Sequence, residues 1–158
     1  MMDVDELDSV IIRELQLNAR QTNKELAATI GVAPSTCLER VRALRNSGVI
    51  SGYHAGVSLP ALNRRVQALL AVQVRPLSRA VIEDFKNYVT PLPEVLSVFV
   101  VAGGDDFLVH VAVQDIEHLH AFLMDRFSKR REIVGFRSSI IYQHARNTVL
   151  DRLPDATQ

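Results

Sequence analysis

The spacing of hydrophobic side chains changes once along the chain, and this change limits what the sequence can fold into. Up to about residue 58, apolar side chains recur every three to four positions, which is the period of an amphipathic α-helix. From Val66 to Val74 they alternate with other residues, which is the period of a β-strand. The 158 residues therefore predict two small domains, a helical one followed by an α+β one.

The first domain is predicted over residues 1–58 and contains three short helices. A helix over residues 7–17 is followed by one that begins at Thr22, where Glu25 completes a capping box. Gly31 ends the second helix, and the third begins at Pro34 after a turn of three residues. This spacing is typical of a helix-turn-helix. Residues 49–58, which mix β-formers with glycine, predict a small hairpin or wing.

After a linker over residues 59–65, the second domain is predicted over 66–145, and residues 146–158 form a tail beyond it. Strand and helix patterns follow one another in the order β-α-β-β-α-β, which predicts a ferredoxin-like fold. Helices cover one face of such a sheet. Leu69, Ala71, Leu108, His110 and Ala112 then lie on the open face, which predicts at least a homodimer.

The third helix is the candidate DNA reader. Its polar face carries Ser35, Thr36 and Glu39, with Arg40 and Arg42 on the flanks. Small hydroxyl residues allow a close approach to base edges, and arginines reach phosphate or guanine. The same residues also fit an ordinary solvated helix face, because the pattern alone describes many structural helix pairs.

Composition excludes several other classes. Basic and acidic residues balance at 18 each, so DNA binding depends on a local surface. The single cysteine, Cys37, excludes an internal disulfide and fits a core position in a cytoplasmic protein. No apolar run approaches the length of a membrane helix. His118 and His120 lie on nearly opposite sides of a predicted helix, and Asp105 and Asp106 diverge on a turn, so we expect no metal site.

Several short motifs, read together in order, resemble the Lrp/AsnC family, also called feast/famine regulatory proteins. The resemblance covers residues 5–145 and rests on this set: Leu7-Asp8, Asn18-Ala-Arg20, Glu25-Leu-Ala27, Gly31-Val32, Arg40-Val41, Leu44, Gly48-Val-Ile50, Gly52-Tyr53, Gly103 and Asp106.

The resemblance implies a winged helix-turn-helix joined to a ferredoxin-like domain that forms dimers and often octamers. It also implies an amino acid or related metabolite as effector, and no cofactor. The candidate DNA contacts are Arg20, Lys24, Ser35, Thr36, Glu39, Arg40 and Arg42. The candidate effector contacts are Gly103, Gly104, Asp105, Asp106, Ser138 and Ser139.

The chain departs from the family pattern at positions that bear on function. Ala33 stands where members often have serine, which removes a helix cap. Asp105 stands where the loop commonly has an aromatic residue, so a leucine-like effector does not follow from the resemblance.

The sequence thus predicts a cytoplasmic, DNA-binding transcription regulator with an amino-acid effector. Two alternatives stay open at this point. One is a small enzyme on a ferredoxin-like scaffold, although no nucleophile, phosphate-binding or zinc motif is present. The other is an architectural DNA-binding protein without an effector.

Overall fold

The computed structural model describes residues 4–154 and divides the chain into two compact units. Unit 1 combines the residues up to 55 with those from 145 onward, and unit 2 comprises residues 56–144. The segment predicted to be a tail beyond the fold therefore belongs to unit 1 as far as residue 154. Residues 155–158 of that tail lie outside the described part of the chain.

Three helices form unit 1: α1 (Glu6–Leu17), α2 (Asn23–Ile30) and α3 (Pro34–Asn46). Each contributes two apolar side chains to a common buried core, at positions that the helical spacing predicts. The core side chains are Ile11, Leu15, Leu26, Ala27, Cys37 and Leu44.

The ends of α2 confirm the sequence signals that define it. Thr22 accepts a hydrogen bond from the Glu25 backbone N–H, and the Glu25 carboxylate accepts one from the Thr22 N–H, so the capping box is complete. Gly31 has a φ of 74°, in the left-handed region where glycine pays no steric penalty. The helix-turn-helix prediction is confirmed.

The hairpin predicted for residues 49–58 is wrong: residues 51–58 contain no strand. The segment includes Gly52 and Gly56, which lose more backbone freedom on ordering than other residues. An isolated two-stranded hairpin is marginal without a third strand or an apolar face to pack on. Local β-propensity alone was therefore not enough to form it.

Unit 2 has the predicted β-α-β-β-α-β order. Its elements are β1 (Val66–Val74), α4 (Arg79–Val89), β2 (Val95–Val100), β3 (Phe107–Val113), α5 (Ile116–Phe122) and β4 (Ile133–Ile140). A five-residue π-helical segment, Leu123–Phe127, continues α5. The strands form one antiparallel sheet in the order β2-β3-β1-β4, which confirms the ferredoxin-like arrangement.

Alternation along β1 and β3 separates the two faces of the sheet. The helix-covered face carries the large core: Ala68, Leu70, Val72, Val74, Phe107, Val109, Val111 and Val113, packed on Phe85, Val89, Phe122 and Phe127. On the opposite face, Leu69 pairs with His110 and Ala71 pairs with Leu108. Leu108 also pairs with Phe99, whose side chain is half exposed. We call this second surface the open face.

The predicted linker is folded onto unit 2. Residues Pro60–Leu62 form a 3₁₀ turn, and the Arg64 backbone N–H donates to the Leu59 carbonyl at 2.9 Å. The Arg64 guanidinium donates to the carbonyls of Ala112 and Pro93 at 3.1 and 2.6 Å. These contacts fix the entry of β1, so residues 59–65 are an ordered start to the domain.

Residues from 145 onward, which we call the returning segment, dock on α1. The Gln16 side-chain amide donates to the Leu150 carbonyl and accepts from the Leu150 N–H, both at 2.9 Å. Arg13 donates to both carboxylate oxygens of Asp151, at 2.8 and 2.9 Å. Paired contacts of this kind define one register for the segment on the helix.

Candidate functional site

The outer face of α3 is open to solvent. Ser35, Thr36, Glu39 and Arg42 are exposed on this helix, and Lys24 is exposed on α2. The structure therefore places these predicted DNA contacts where a groove of DNA can reach them. Arg20 is also exposed, in the turn between α1 and α2, where its backbone N–H donates to the Asn18 side chain.

The start of α3 is positioned by α2 instead of by its own cap. Ala33, the N-cap residue, makes no side-chain cap hydrogen bond, and Pro34 occupies the first turn. The Asn23 amide donates to the Pro34 carbonyl at 2.8 Å. This bond joins the two helices at the end where a recognition helix meets DNA.

Arg40 differs from the other predicted contacts. Its guanidinium hydrogen-bonds to Asp5 and lies 3.2 Å from the buried carboxylate of Asp8, both belonging to the N-terminal part of α1 or its cap. Hydrogen bonding to the backbone of Asp8 and to Arg40 holds the pKa of the Asp5 carboxyl below its usual value. Arg40 therefore joins α1 and α3. It would have to break its contacts with Asp5 and Asp8 in order to bind DNA.

A groove beside the C-terminal half of α3 is lined by Arg42, Arg45, Asn46 and Tyr53, and its volume is about 470 Å³. Of these, only Arg42 is among the DNA contacts predicted from the sequence. The sequence signal for Arg45 and Tyr53 was available, because basic and aromatic residues next to a recognition helix are typical backbone contacts in DNA-binding proteins.

The second site is the turn between β2 and β3. Gly103, with a φ of 150°, opens it. Asp106 closes it: one carboxylate oxygen accepts from the Val74 N–H at 2.8 Å and from Arg75 at 3.0 Å, and its backbone N–H donates to the Val72 carbonyl. The contacts of Asp106 are therefore directed at β1 and fix the turn.

Asp105 is directed across β1 toward β4. One carboxylate oxygen, Oδ2, lies 2.7 Å from a guanidinium nitrogen of Arg137, and the other, Oδ1, is buried without a hydrogen-bond partner. Gln73 donates to the Gly104 carbonyl at 2.6 Å and holds the turn above the open face. Sequence reasoning missed Arg137 and Gln73, since neither lies near the turn in sequence.

Ser138 and Ser139 are separated by strand alternation. Ser139 pairs with Leu69 of the open face, whereas Ser138 pairs with Leu70 of the helix-covered face. Both are exposed because β4 is an edge strand. Only Ser139 shares a face with Asp105 and Arg137, so the turn and the two serines do not all line one surface of this chain.

The described residues also bear on metal binding and on crossing a membrane. Within residues 4–154, no group of three or more His, Cys, Asp or Glu side chains has the arrangement to hold a metal ion. Over the same range, no helix combines the length and apolar character needed to cross a membrane.

The sequence matches two profiles that divide it as the fold does. Residues 4–45 match the AsnC-type helix-turn-helix domain, and residues 67–150, more than half of the chain, match the Lrp/AsnC ligand binding domain. The chain belongs to the Lrp/AsnC family. Members of this family are transcription regulators and not enzymes, so the chain is a transcription regulator with a helix-turn-helix and a ligand-binding domain.

Individual relatives agree over nearly the full length. The HTH-type transcriptional regulator AldR of Mycolicibacterium smegmatis is 36% identical over 91% of this chain and 84% of its own length. A transcriptional regulator from Neisseria meningitidis, solved with L-methionine, has a TM-score of 0.85 at 30% identity and covers 96% of this chain and 97% of its own. The feast or famine regulatory protein of Mycobacterium tuberculosis, also complexed with L-methionine, has a TM-score of 0.81 at 28% identity, with coverage of 92% and 96%.

Proposed function

We propose that this Lrp/AsnC family chain forms homo-oligomers that bind operator DNA through α3 and bind an amino acid at unit 2, which changes the affinity for the operator. The observation that carries the DNA-binding half is the exposed polar face of α3, with Thr36 near its start and Arg42 beside the groove. In a dimer, two copies of this helix would enter successive major grooves.

A gel shift with double-stranded DNA from upstream of the protein's own gene tests this half. We expect tight, salt-sensitive binding by the wild type. Thr36→Ala and Arg42→Ala should each weaken it about 5- to 100-fold, as expected for lost base or phosphate contacts. Arg79→Ala, which removes the same charge from α4 in unit 2, is the matched control and should bind normally. No binding by the wild type at low salt would rule the proposal out.

Arg40→Ala is unsuitable as a first probe of DNA contact. Its guanidinium is bonded to Asp5 and Asp8, so the substitution would alter the attachment of α1 to α3 as well as any contact with DNA. Within residues 4–154, the side chains of Thr36 and Arg42 make no hydrogen bond or ion pair, so their substitution reports on the DNA interface directly.

The effector half is supported by the turn at residues 103–106 and by relatives. Two regulators of the same fold were solved with L-methionine. A thermal-shift screen of the twenty amino acids tests it: a true effector at 100 times its dissociation constant adds about 2.7 kcal/mol of stability. Any hit should then change the gel-shift affinity. A flat response to all twenty would favour an architectural protein without an effector.

The open face supports the oligomer. Leu69, Ala71, Leu108 and Phe99 form an apolar surface on the face of the sheet opposite α4 and α5. Pairing two copies of such a face is the simplest way to cover it. Light scattering should show a dimer or larger assembly that Leu69→Glu dissociates. Leu77→Glu, in the exposed segment after β1, is the control and should leave the mass unchanged.

A further inference from the structure

Two histidines lie close together at the open face of the sheet. His110 is on β3, where it pairs with Leu69 of β1 and with Ser97 of β2. His144 follows β4, and the centres of the two imidazole rings are 5.9 Å apart. His110 is half-buried, whereas His144 is exposed. We call these two side chains the histidine pair.

The surroundings of His110 supply no opposite charge. In the part of the chain that the structure describes, the strand residues around it on the open face are uncharged: Gln67, Leu69 and Ala71 on β1, Ser97 and Phe99 on β2, Leu108 and Ala112 on β3, and Ser139 on β4. Arg137 lies further along β4, opposite Ala71, and is bonded to Asp105. The group that gains charge beside His110 is therefore His144.

A neutral His110 suits this position better than a charged one. Its Nε2 lies 3.0 Å from Gln67 Oε1, and this single hydrogen bond satisfies a neutral ring. Burial, and secondarily the charge of His144, lower the pKa of His110. A second copy of the chain covering the open face would remove more water from the ring, and a buried charge without a counter-charge is strongly disfavoured.

We propose that the histidine pair makes the homodimer at the open face acid-sensitive, so that two copies associate while His110 and His144 are neutral and separate when they are protonated. A two-fold axis brings the same face of each copy together, so one interface contains two histidine pairs. This inference rests on the proposed homo-oligomer and adds a means of regulating it.

The direction of the effect follows from proton linkage. In the dimer the imidazoles bind protons less readily than in the separated copies, so separation takes up protons and is favoured as the pH falls. Association is at full strength above about pH 6.5, the usual histidine value, and weakens progressively below it.

The first test removes the titrating groups. Sedimentation velocity over a dilution series measures the dissociation constant of the smallest assembly at pH 7.5 and at pH 5.5. For the wild type this constant should rise by about 10-fold or more at the lower pH. The double variant His110→Gln/His144→Gln keeps polar side chains that do not titrate, and its constant should change much less. His120→Gln, at an exposed position on α5, is the control and should respond as the wild type does.

The second test introduces a permanent charge. His110→Lys carries a positive charge at both pH values, so it should already associate about 10-fold or more weakly than the wild type at pH 7.5. His120→Lys adds the same charge on α5 and should leave the dissociation constant unchanged. Circular dichroism at both pH values verifies that every variant is folded.

The contrary outcomes are distinguishable. A wild type that is dimeric with the same dissociation constant at both pH values would overturn the acid-sensitive dimer and leave the homo-oligomer standing. An equal pH response in the wild type and the double variant would assign the effect to other groups and also overturn it. A wild type that is monomeric at pH 7.5 would overturn the proposed homo-oligomer, and this inference with it.

Discussion

At the scale of single residues, the start of α3 lacks a capping hydroxyl, and this absence lowers the stability of the helix. Ala33 has the extended backbone of an N-cap, with φ −65° and ψ 142°, but it has no oxygen with which to accept a hydrogen bond from the first turn. The first-turn N–H groups of α3 are therefore not capped by a side chain of the N-cap residue.

Ala33→Ser should accordingly stabilise the protein. A serine cap is worth about 1 kcal/mol, which corresponds to a rise of a few degrees in Tm for a chain of this size. Thermal unfolding followed by circular dichroism measures it. Ala43→Ser, at an exposed position within the same helix, is the control and should not raise the Tm. An unchanged or lower Tm for Ala33→Ser would show that Pro34 and Asn23 already satisfy this end.

Cys37 gives a second prediction at this scale. The side chain is fully buried in the core of unit 1, and burial raises the pKa of its thiol because the thiolate is disfavoured there. We expect a disulfide reagent at pH 8 to react with Cys37 only after denaturation, with a rate that follows unfolding. Rapid stoichiometric labelling of the native protein would contradict the buried position.

The sequence predicted single residues best where their role is local. The cap at Thr22 and the stop at Gly31 depend on neighbours within a few positions, and both are confirmed. Arg40 and Arg137 pair with residues more than thirty positions away. No local pattern specifies such partners. The contacts of Arg40 with α1 and of Arg137 with Asp105 are therefore visible only in the folded structure.

At the scale of elements, hydrophobic period predicted each helix and strand that contributes side chains to a core. The strands β1 and β3 have the bounds that alternation predicts, because the buried residues of each are packed on α4 and α5. The predicted hairpin is the exception. Residues 51–58 include strand-forming side chains, but they have no core to pack against and form no strand. Burial, more than intrinsic propensity, decides which elements form.

The attachment of α1 to α3 leads to a prediction about Asp8. Its side chain is 2% exposed and its partner, the Arg40 side chain, is 35% exposed. Asp8→Ala should lower the free energy of unfolding by about 2 kcal/mol, less than for a fully buried pair because Arg40 keeps access to water and to Asp5. Urea unfolding measures it. Glu6→Ala, an exposed acid in the same helix turn, should cost clearly less; equal losses would mean that the ion pair contributes nothing.

At the scale of the whole molecule, we predict that stability depends on pH through a histidine on the open face. His110 lies on it, with its Nε2 3.0 Å from Gln67 and its ring near that of His144. Burial, and secondarily the charge of His144, lower the pKa of His110. The unfolded chain therefore binds a proton more readily than the folded one, and stability rises with pH in this range.

The expected result is full stability above about pH 6.5, the usual histidine value, and a progressive loss as the pH falls below it. His110→Gln should flatten this dependence, because glutamine does not titrate. His120→Gln, at an exposed position on α5, should leave the dependence unchanged. Urea midpoints between pH 8 and pH 5 provide the comparison, and identical slopes for wild type and His110→Gln would refute it.

The sequence predicted two domains that are each one continuous segment of the chain. The change of hydrophobic period coincides with the start of β1 at Val66, whereas unit 2 begins at residue 56. Residues from 145 onward belong to unit 1, where Leu150 and Asp151 make polar contacts with α1 that hydrophobic periodicity does not predict.

The return of the chain to α1 makes unit 2 an insertion within unit 1. A deletion of the last fourteen residues, or a purification tag fused behind them, would thus act first on the helix-turn-helix unit, although it lies far from that unit in sequence. An isolated fragment of residues 1–55 would likewise lack the partners of Arg13 and Gln16. Fusions designed to leave DNA binding undisturbed are better placed in an exposed loop of unit 2 than at the C-terminus.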